Sequence, residues 1–476
     1  MNPLQKPEQL TALHALMVGY PHEKRFGEKW ISDPDFRSAF LNDPIATIES
    51  YSIDLDHEEV RAVHRGGSSP ILDSLNAIRA AKEQWTQHFY ATICQPTDDA
   101  WTSWRNRQIS RQIFDLGPQH ALSNIHSSLA IELNKGCSVG CWFCALSPER
   151  SSTPLLYHEG GKQRFTSLVR AMSNVLGPAV QSGFLYWATE PMDNPNYEDY
   201  CLLFHELTGV FPPTTTAIPH KHPDRIRRLL QLAREHNSWL TRFSVLSVSL
   251  MNKVHQMFTA EELSIAECLP LNREGSFAYG VAGRYRDYLK KHPEVLVQQQ
   301  ERLHNAPFYQ DVKDHLDSDT HAHGSIACVT GFLVNLVDCS VSLIAPTHAT
   351  DEFPLGYITF ASGTFTESEN IQSVINDVVT RGRIDTPDST MRYMLAPYIS
   401  YEILEGDVVF VGRLGTRVRA ADLGSNTNVS ILMQTLREGG GNHTEICSMF
   451  PDDQQWIEYA LERLWTMGVL LEPVAC

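Results

Sequence analysis

The chain has 476 residues, of which 42% are hydrophobic, and its 39 basic against 56 acidic side chains give a formal net charge of −17. This length and composition predict a large central domain with appended modules and exclude a disordered chain. The acidic balance argues against a nucleic-acid partner, and without a signal-like N-terminus or an apolar window of about 18 residues we expect a cytoplasmic protein with no membrane partner.

Residues 1–120 predict a helical N-terminal region. Apolar residues recur at three-to-four spacing in PDFRSAFLNDPIATIESYSI and in ILDSLNAIRAAKEQWTQHFYATI, and Asp and Pro stand at the starts of segments. No catalytic group stands out in this region.

Residues 121–385 show short apolar segments alternating with helical ones. The predicted strands SSLAIEL, GFLYWAT, TTTAIPH and RFSVLSVSL are separated by predicted helices. This alternation implies right-handed parallel βαβ units, and therefore an α/β fold built as a barrel or an open wound sheet. The long apolar stretch SIACVTGFLVNLVDCSVSLIAPT is expected to close the sheet, and the working groups are expected at the carboxyl ends of the strands.

Residues 386–476 predict a small separate unit. Paired strands in YEILEGDVVFVG and GTRVRAADLG precede three helical segments and a closing strand, VLLEP, which is the order of a winged helix-turn-helix. Its helical part carries acidic residues where a phosphate-binding surface would need cations: Glu445, Asp452, Asp453, Glu458 and Glu462. We therefore predict peptide binding and not DNA binding.

Three cysteines, Cys137, Cys141 and Cys144, lie together in GCSVGCWFCALS, directly after the first predicted strand. A structural zinc site normally has four ligands in two pairs, whereas this stretch is a single C-x3-C-x2-C triplet with no second pair at ligand spacing. Three thiolates on a [4Fe-4S] cluster leave one iron open to a small molecule. We predict such a cluster, and the alternative is three unrelated buried or zinc-binding thiols.

The triplet, with the aromatic Phe143 directly before its last cysteine, resembles the radical S-adenosylmethionine (SAM) superfamily. The resemblance implies a partial (β/α)6 TIM-like barrel, with Phe143 next to the cofactors. It implies that the open iron chelates SAM and that an electron from the cluster cleaves SAM to a 5′-deoxyadenosyl radical. A reductant such as flavodoxin or ferredoxin is then a partner.

Further residues are assigned to SAM by the same resemblance. YWATEPMDNP takes the place of the superfamily's Gly-Gly-Glu-Pro segment, which implies that Thr189 and Glu190 bond the SAM amino group, although Ala188 and Thr189 replace the two glycines. Arg242 and Ser244 on the fourth predicted strand would contact the SAM carboxylate or ribose. A helix cap or surface acid is the alternative for Glu190, and an ion pair with a helix acid is the alternative for Arg242.

Most of residues 126–365 is similar to the radical SAM peptide epimerases that mature proteusin-type ribosomal peptides. The similarity is carried by IELNKGCSVGCWFCALS, RFSVLSVSL and CVTGFLVNLVDCSVSLIAPTHATDEFPLGY. It implies that L-residues of a ribosomally made precursor peptide are converted to D-residues after Cα hydrogen abstraction. The winged helix then resembles the element that binds a precursor leader by strand addition. Residues 36–60 look like the nitrile-hydratase-type leaders of such precursors, and an ordinary helical bundle is the alternative.

Epimerisation requires a donor with a weak X–H bond on the opposite face of the substrate from the cluster, and a thiol meets this requirement. We select Cys328, because Gly324 and Gly331 bracket it and permit close approach of a peptide. Cys339 has the apolar parity of a core residue, and Tyr279 is a further candidate.

Two other functions remain open. One is a different radical SAM peptide modification, such as C-methylation or thioether formation, although no second cysteine cluster is evident. The other is a non-catalytic peptide-binding scaffold.

Overall fold

The computed structural model describes residues 7–275, 278–304, 324–366, 368–385, 391–424 and 426–473. Within them the chain is a mixed α/β protein with several sheets, none of which closes into a barrel. No helix in the described ranges is both long and apolar enough to cross a membrane.

Helices fill the N-terminal region. In chain order they are α1 Pro7–Gly19, α2 Pro21–Ser32, α3 Pro34–Asn42, α4 Pro44–Ser50, α5 His57–His64, α6 Pro70–His88, α7 Asp99–Asp115 and α8 Pro118–Ser123. Proline in the first turn and an acidic cap set several of these starts; for example, the Asp33 side chain accepts hydrogen bonds from the backbone of Asp35 and Phe36. The leader-like segment 36–60 lies in α3, α4 and the start of α5. It forms a small core of its own with Phe26 and Ile71.

The central part begins with β1 Ser127–Glu132 and a small hairpin of β2 Asn134–Lys135 and β3 Thr153–Pro154. The elements that follow are α9 Glu159–Leu176, α10 Tyr197–Thr208, β4 Thr214–Thr216, α11 Pro223–Glu235, β5 Thr241–Val245, α12 Val248–Met257, β6 Ala266–Pro270, α13 Gly283–Leu289, α14 Glu294–His304, β7 Val329–Asn335, β8 Ser340–Pro346, β9 Tyr357–Thr364 and α15 Ile371–Gly382.

Two sheets arise from these strands. One has the order β1-β7-β8-β9, with β1 parallel to β7, and the other is the parallel sheet β4-β5-β6. Register pairs Ser127 with Val329 and Glu132 with Asn335, so the strand starts lie at one edge, the amino edge, and the strand ends at the other, the carboxyl edge. The main core packs between these sheets and the helices.

Three sequence predictions differ from the structure in detail. GFLYWAT makes only one bridge, which is parallel, from Phe184 to Ala130, and VLLEP makes only one, which is antiparallel, from Leu470 to Leu395. RFSVLSVSL is a strand only to Val245, because the Ser247 side chain accepts a hydrogen bond from the Leu250 N–H and caps α12. In the central part, strands β2, β3, β6 and β9 were not predicted.

The long apolar stretch is a hairpin and not a single strand. Its two halves are the antiparallel strands β7 and β8. The Asn335 side chain accepts hydrogen bonds from the backbone N–H groups of Val337 and Asp338, both at 2.9 Å, and Cys339 has a φ of 54°. An asparagine that bonds the backbone two and three residues ahead stabilises a turn, which divides the apolar stretch into two strands.

The C-terminal elements are β10 Arg392–Tyr393, β11 Ser400–Leu404, β12 Asp407–Val411, β13 Arg417–Ala420, α16 Val429–Arg437, β14 Gly441–Asn442, α17 His443–Ser448 and α18 Gln454–Thr466. Strands β11, β12 and β13 form an antiparallel sheet, and β10 pairs with β14. The three helices pack on a second core, to which Phe114 of α7 also contributes.

Candidate functional site

The three-cysteine loop follows the carboxyl edge of β1 and is held by its own backbone. The Cys137 N–H donates to the Glu149 carbonyl at 2.9 Å, and the Cys144 N–H donates to the Cys141 carbonyl at 3.3 Å. Gly136 has a φ of 80°, and a Cβ at this position would lie 1.9 Å from the Ser151 carbonyl oxygen. Only glycine fits there, and it allows the loop to turn immediately after β2.

All three thiols are half-buried and free. Burial, and then the neighbouring Cys144 and Cys137, raise the pKa of Cys141 to about 12, and burial also raises the pKa of Cys137.

Arg284, on α13, fastens the three-cysteine loop. Its guanidinium donates to the Cys141 carbonyl and to the Pro148 carbonyl, each at 2.9 Å, and its backbone N–H donates to the Cys144 carbonyl at 3.1 Å. Gly283, with a φ of 50°, brings the helix start so close that a Cβ would lie 2.1 Å from the Ala145 carbonyl oxygen. Sequence reasoning missed Arg284, since its acceptors are backbone groups more than 130 residues earlier in the chain.

Phe143 faces an aromatic cluster beneath the loop. Its ring stacks on Tyr279 with centroids 4.3 Å apart, and Trp142 lies edge-on to Tyr279 and Tyr285. The Tyr279 hydroxyl donates to the Leu271 carbonyl at 2.8 Å, and burial raises its pKa. Tyr279 therefore packs behind the loop, with its hydroxyl bonded to the backbone.

Glu190 lies next to the loop and is buried. Its Oε1 accepts hydrogen bonds from the Thr216 hydroxyl at 2.5 Å and the Met192 N–H at 3.1 Å, and its Oε2 accepts from the Ala217 N–H at 2.8 Å. Burial raises the pKa of Glu190 to about 7 in spite of these donors. The carboxylate thus ties the 188–190 segment to the end of β4.

The loop and the Glu190 segment are joined directly. Asp193 accepts hydrogen bonds from the Ser138 N–H at 2.9 Å and from the Ser138 hydroxyl at 2.6 Å. Thr189 Oγ1 is buried with no hydrogen-bond partner among the described residues. A buried hydroxyl without a partner costs free energy, so this oxygen could form a further hydrogen bond.

Glu132 and Asn335 form a polar pair at the same edge that sequence reasoning also missed. Glu132 accepts from the Ala188 N–H and from the Asn335 side chain, each at 2.9 Å, and burial raises its pKa. An acidic residue within an apolar strand segment was the signal available in the sequence.

Arg242 and Ser244 lie on one face of β5, but Arg242 is near the amino edge. Its guanidinium donates to Thr215 Oγ1 at 3.1 Å and to the Tyr186 hydroxyl at 2.9 Å. Ser244 is two residues nearer the carboxyl edge and pairs with Leu269 of β6. The structure therefore does not bring Arg242 to the cysteine loop.

Cys328 directly precedes β7, at the amino edge. Its carbonyl accepts from the Ser127 N–H at 2.8 Å, and it packs against the apolar cluster that includes Ala130 and Val329. Burial raises the pKa of its thiol to about 11, against the opposing charge of Arg242. Five residue steps of β1, about 16 Å at 3.3 Å per residue, separate this edge from the cysteine loop.

Cys339 lies in the β7–β8 turn at the carboxyl edge. It packs against the main core, and its Sγ is 3.9 Å from the Leu336 carbonyl oxygen. It is therefore nearer the cysteine loop than Cys328 along the strands, but it sits on the core side of the sheet.

A large cavity opens at the amino edge. It has a volume of about 1220 Å³ and lies between α2, α6 and strands β5 and β6. Tyr90, Arg242 and Glu267 are among its lining residues, and Arg242 is the charged neighbour of Cys328. Arg242 is thus the residue that connects the lining of the cavity with the surroundings of Cys328.

Comparison with known proteins gives one relevant similarity. The uncharacterized protein y4wI from Sinorhizobium fredii (strain NBRC 101917 / NGR234) is 31% identical over 381 residues, which cover 77% of this chain and 71% of that protein. No family model matches the chain. No solved structure matches it either.

Proposed function

The chain belongs to the family of the uncharacterized protein y4wI, and from its own site we propose that it is a radical SAM enzyme that converts L-residues of a ribosomally made precursor peptide to D-residues. The observation that carries the proposal is the triplet Cys137, Cys141 and Cys144, whose half-buried thiols lie on a loop joined to the Glu190 segment, where the Thr189 hydroxyl has no partner among the described residues.

The three cysteines would hold a [4Fe-4S] cluster, which together with SAM supplies a radical able to abstract a Cα hydrogen. Arg284 keeps the loop in place through the carbonyl groups of Cys141 and Cys144. The Thr189 hydroxyl would bond SAM, with Phe143 packed behind the loop. Glu190 would position the 188–190 segment. Both of its carboxylate oxygens already accept hydrogen bonds, so a SAM amino group would have to share one of these oxygens with the present donor.

The finer architecture belongs to the same proposal. The strand order supports a partial (β/α)6 TIM-like barrel. In such a barrel the order would be β7, β1, the bridged segment at Phe184, and then β4, β5 and β6. The C-terminal unit has the elements of a winged helix-turn-helix, namely the three-stranded sheet β11–β13 and the helices α16–α18. This unit would bind the leader of the precursor along a strand edge. The leader-like core of residues 36–60 fits a peptide-handling role.

Hydrogen return from Cys328 is part of the proposal. Its place at the amino edge, with the cysteine loop beyond the carboxyl edge, would put the donor on the other side of the substrate from the cluster. The S–H hydrogen atom would pass to the Cα radical, leaving a sulfur radical that an electron from flavodoxin or ferredoxin and a solvent proton convert back to the thiol. Ser244 and Arg242 would line the interior between the two edges. These partners suit a cytoplasmic enzyme.

Two measurements test the proposal. Anaerobic reconstitution should give about four irons and four sulfides per chain and release 5′-deoxyadenosine from SAM. Co-expression with the precursor peptide in deuterated water should install one deuterium at each inverted Cα with no other mass change. A methyl gain or a loss of two hydrogens would point to a different peptide modification. A protein without iron that cleaves no SAM would be a peptide-binding scaffold.

A further inference from the structure

A second group of metal-ligating side chains lies in the C-terminal unit, far in sequence from the cysteine loop. His443, Cys447 and Glu458 meet where α17 packs against α18, and their ligand atoms all lie within 4.8 Å of one another. Cys447 Sγ is 3.8 Å from His443 Nδ1 and 3.7 Å from His443 Nε2. Glu458 is exposed, so an ion could enter from solvent.

Local sequence explains this placement. His443 and Cys447 are four residues apart, so they share one face of α17. A capping box fixes the start of that helix, because the Asn442 side chain accepts from the Glu445 N–H while the Glu445 carboxylate accepts from the Asn442 N–H. Glu458 extends from the second turn of α18 toward the same point.

The distances match those expected around one ion. Zinc bound to sulfur at about 2.3 Å and to nitrogen at about 2.0 Å, with tetrahedral angles, separates these ligand atoms by about 3.5 Å. The observed 3.7 Å is close to that value.

A similar triplet elsewhere shows what a structural cluster of these residue types looks like. Glu28, His255 and Cys268 also have their ligand atoms within 4.8 Å of one another. However, the Lys24 ammonium lies 2.6 Å from Glu28 Oε1, so a protein cation already neutralises that carboxylate. Glu458, in contrast, accepts only a neutral hydrogen bond from Gln454 at 3.2 Å within the part of the chain that the structure describes.

We propose that His443, Cys447 and Glu458 bind a divalent transition-metal ion of the zinc type, which fastens α17 to α18. A thiolate and an imidazole select zinc, cobalt or nickel over magnesium and calcium, which prefer oxygen ligands only. Three protein ligands leave the fourth position to water. This site is independent of the three-cysteine loop and of the proposed peptide chemistry.

Cobalt titration of a chain without the cysteine loop thiols tests the proposal. In the full-length Cys137→Ser/Cys141→Ser/Cys144→Ser background, Co²⁺ should bind with a sulfur-to-cobalt charge-transfer absorption and raise the melting temperature. Cys447→Ser should abolish that absorption. Glu458→Gln should weaken Co²⁺ binding by at least about tenfold, since loss of a supporting group alone costs that much.

Glu462→Gln is the matched control, because Glu462 is an exposed acid one turn further along α18. It removes the same charge and should leave Co²⁺ affinity unchanged. Charge-transfer absorption that survives Cys447→Ser would overturn the proposal, as would equal affinities of Glu458→Gln and Glu462→Gln. If Cys447→Ser does not fold, His443→Gln takes its place, and cobalt binding unaffected by that change would equally overturn it.

Discussion

At the scale of single residues, Arg284 holds the backbone of the three-cysteine loop, although it lies more than 130 residues further along the chain. Its side chain and backbone donate to three carbonyl groups between Cys141 and Pro148, so one residue of α13 sets the shape of the three-cysteine loop. The guanidinium suits this task because its planar fork offers several donors in fixed directions. Arg284 touches no thiol, and we regard it as a positioning residue.

Arg284→Ala should loosen the loop. Hydrogen bonds from a charged donor contribute about 1.5–3 kcal/mol each, so we expect a fall of about 2 kcal/mol or more in the free energy of unfolding of the cluster-free protein. Iron content after anaerobic reconstitution should also drop. Arg286→Ala is the control, since Arg286 lies on the same helix but pairs with the exposed Asp351. Equal behaviour of the two variants would argue against the positioning role.

At the scale of elements, α7 is the helix that joins the central sheets to the C-terminal unit. Trp101 and Trp104 pack in the main core, whereas Phe114 packs in the C-terminal core. Between them, Arg107 forms a buried ion pair with Glu472, at 2.9 Å, and stacks over the Trp465 ring at 3.8 Å. The sequence boundary drawn at residue 120 placed α7 in a separate helical region, because periodicity shows which face is apolar but not which neighbours that face meets.

Arg107→Ala should strongly destabilise the protein. The change leaves the buried Glu472 carboxylate with only Gln108 as a side-chain donor among the described residues, and breaking a buried pair costs about 3–5 kcal/mol. Denaturant unfolding monitored by tryptophan fluorescence measures the change. The exposed Arg61, paired with Glu58, provides a control in Arg61→Ala. A loss no larger than that of Arg61→Ala would show that the pair does not hold α7 to the C-terminal unit.

At the scale of the whole molecule, local patterns predicted helices α9, α10 and α11 and strands β1, β4 and the first part of β5, and they singled out the loop carrying the three cysteines. Local patterns gave the wrong element where the hydrogen bonds of a single side chain end a strand or form a turn. Ser247 ends a strand by capping a helix, and Asn335 turns an apolar run into a hairpin. Long-range contacts were out of reach, since Glu132 meets Asn335 and Arg284 meets the loop only after folding. The opposed positions of Cys328 and the cysteine loop follow from β1–β7 register, which the sequence did not specify.

The positions of Cys328 at the amino edge and of the cysteine loop beyond the carboxyl edge lead to a test of the hydrogen donor. A radical at Cα inverts only if hydrogen arrives from the face away from the abstracting group, and in the proposal Cys328 at the amino edge takes that side while the cluster lies at the carboxyl edge. Cys328→Ala should therefore stop D-residue formation while SAM cleavage continues. Cys339→Ala, at the carboxyl edge and packed against the main core, should leave D-residue formation intact. Amino-acid analysis of the peptide after deuterium labelling measures both outcomes. Undiminished D-residues with Cys328→Ala, or their loss with Cys339→Ala alone, would transfer the donor role to the carboxyl edge.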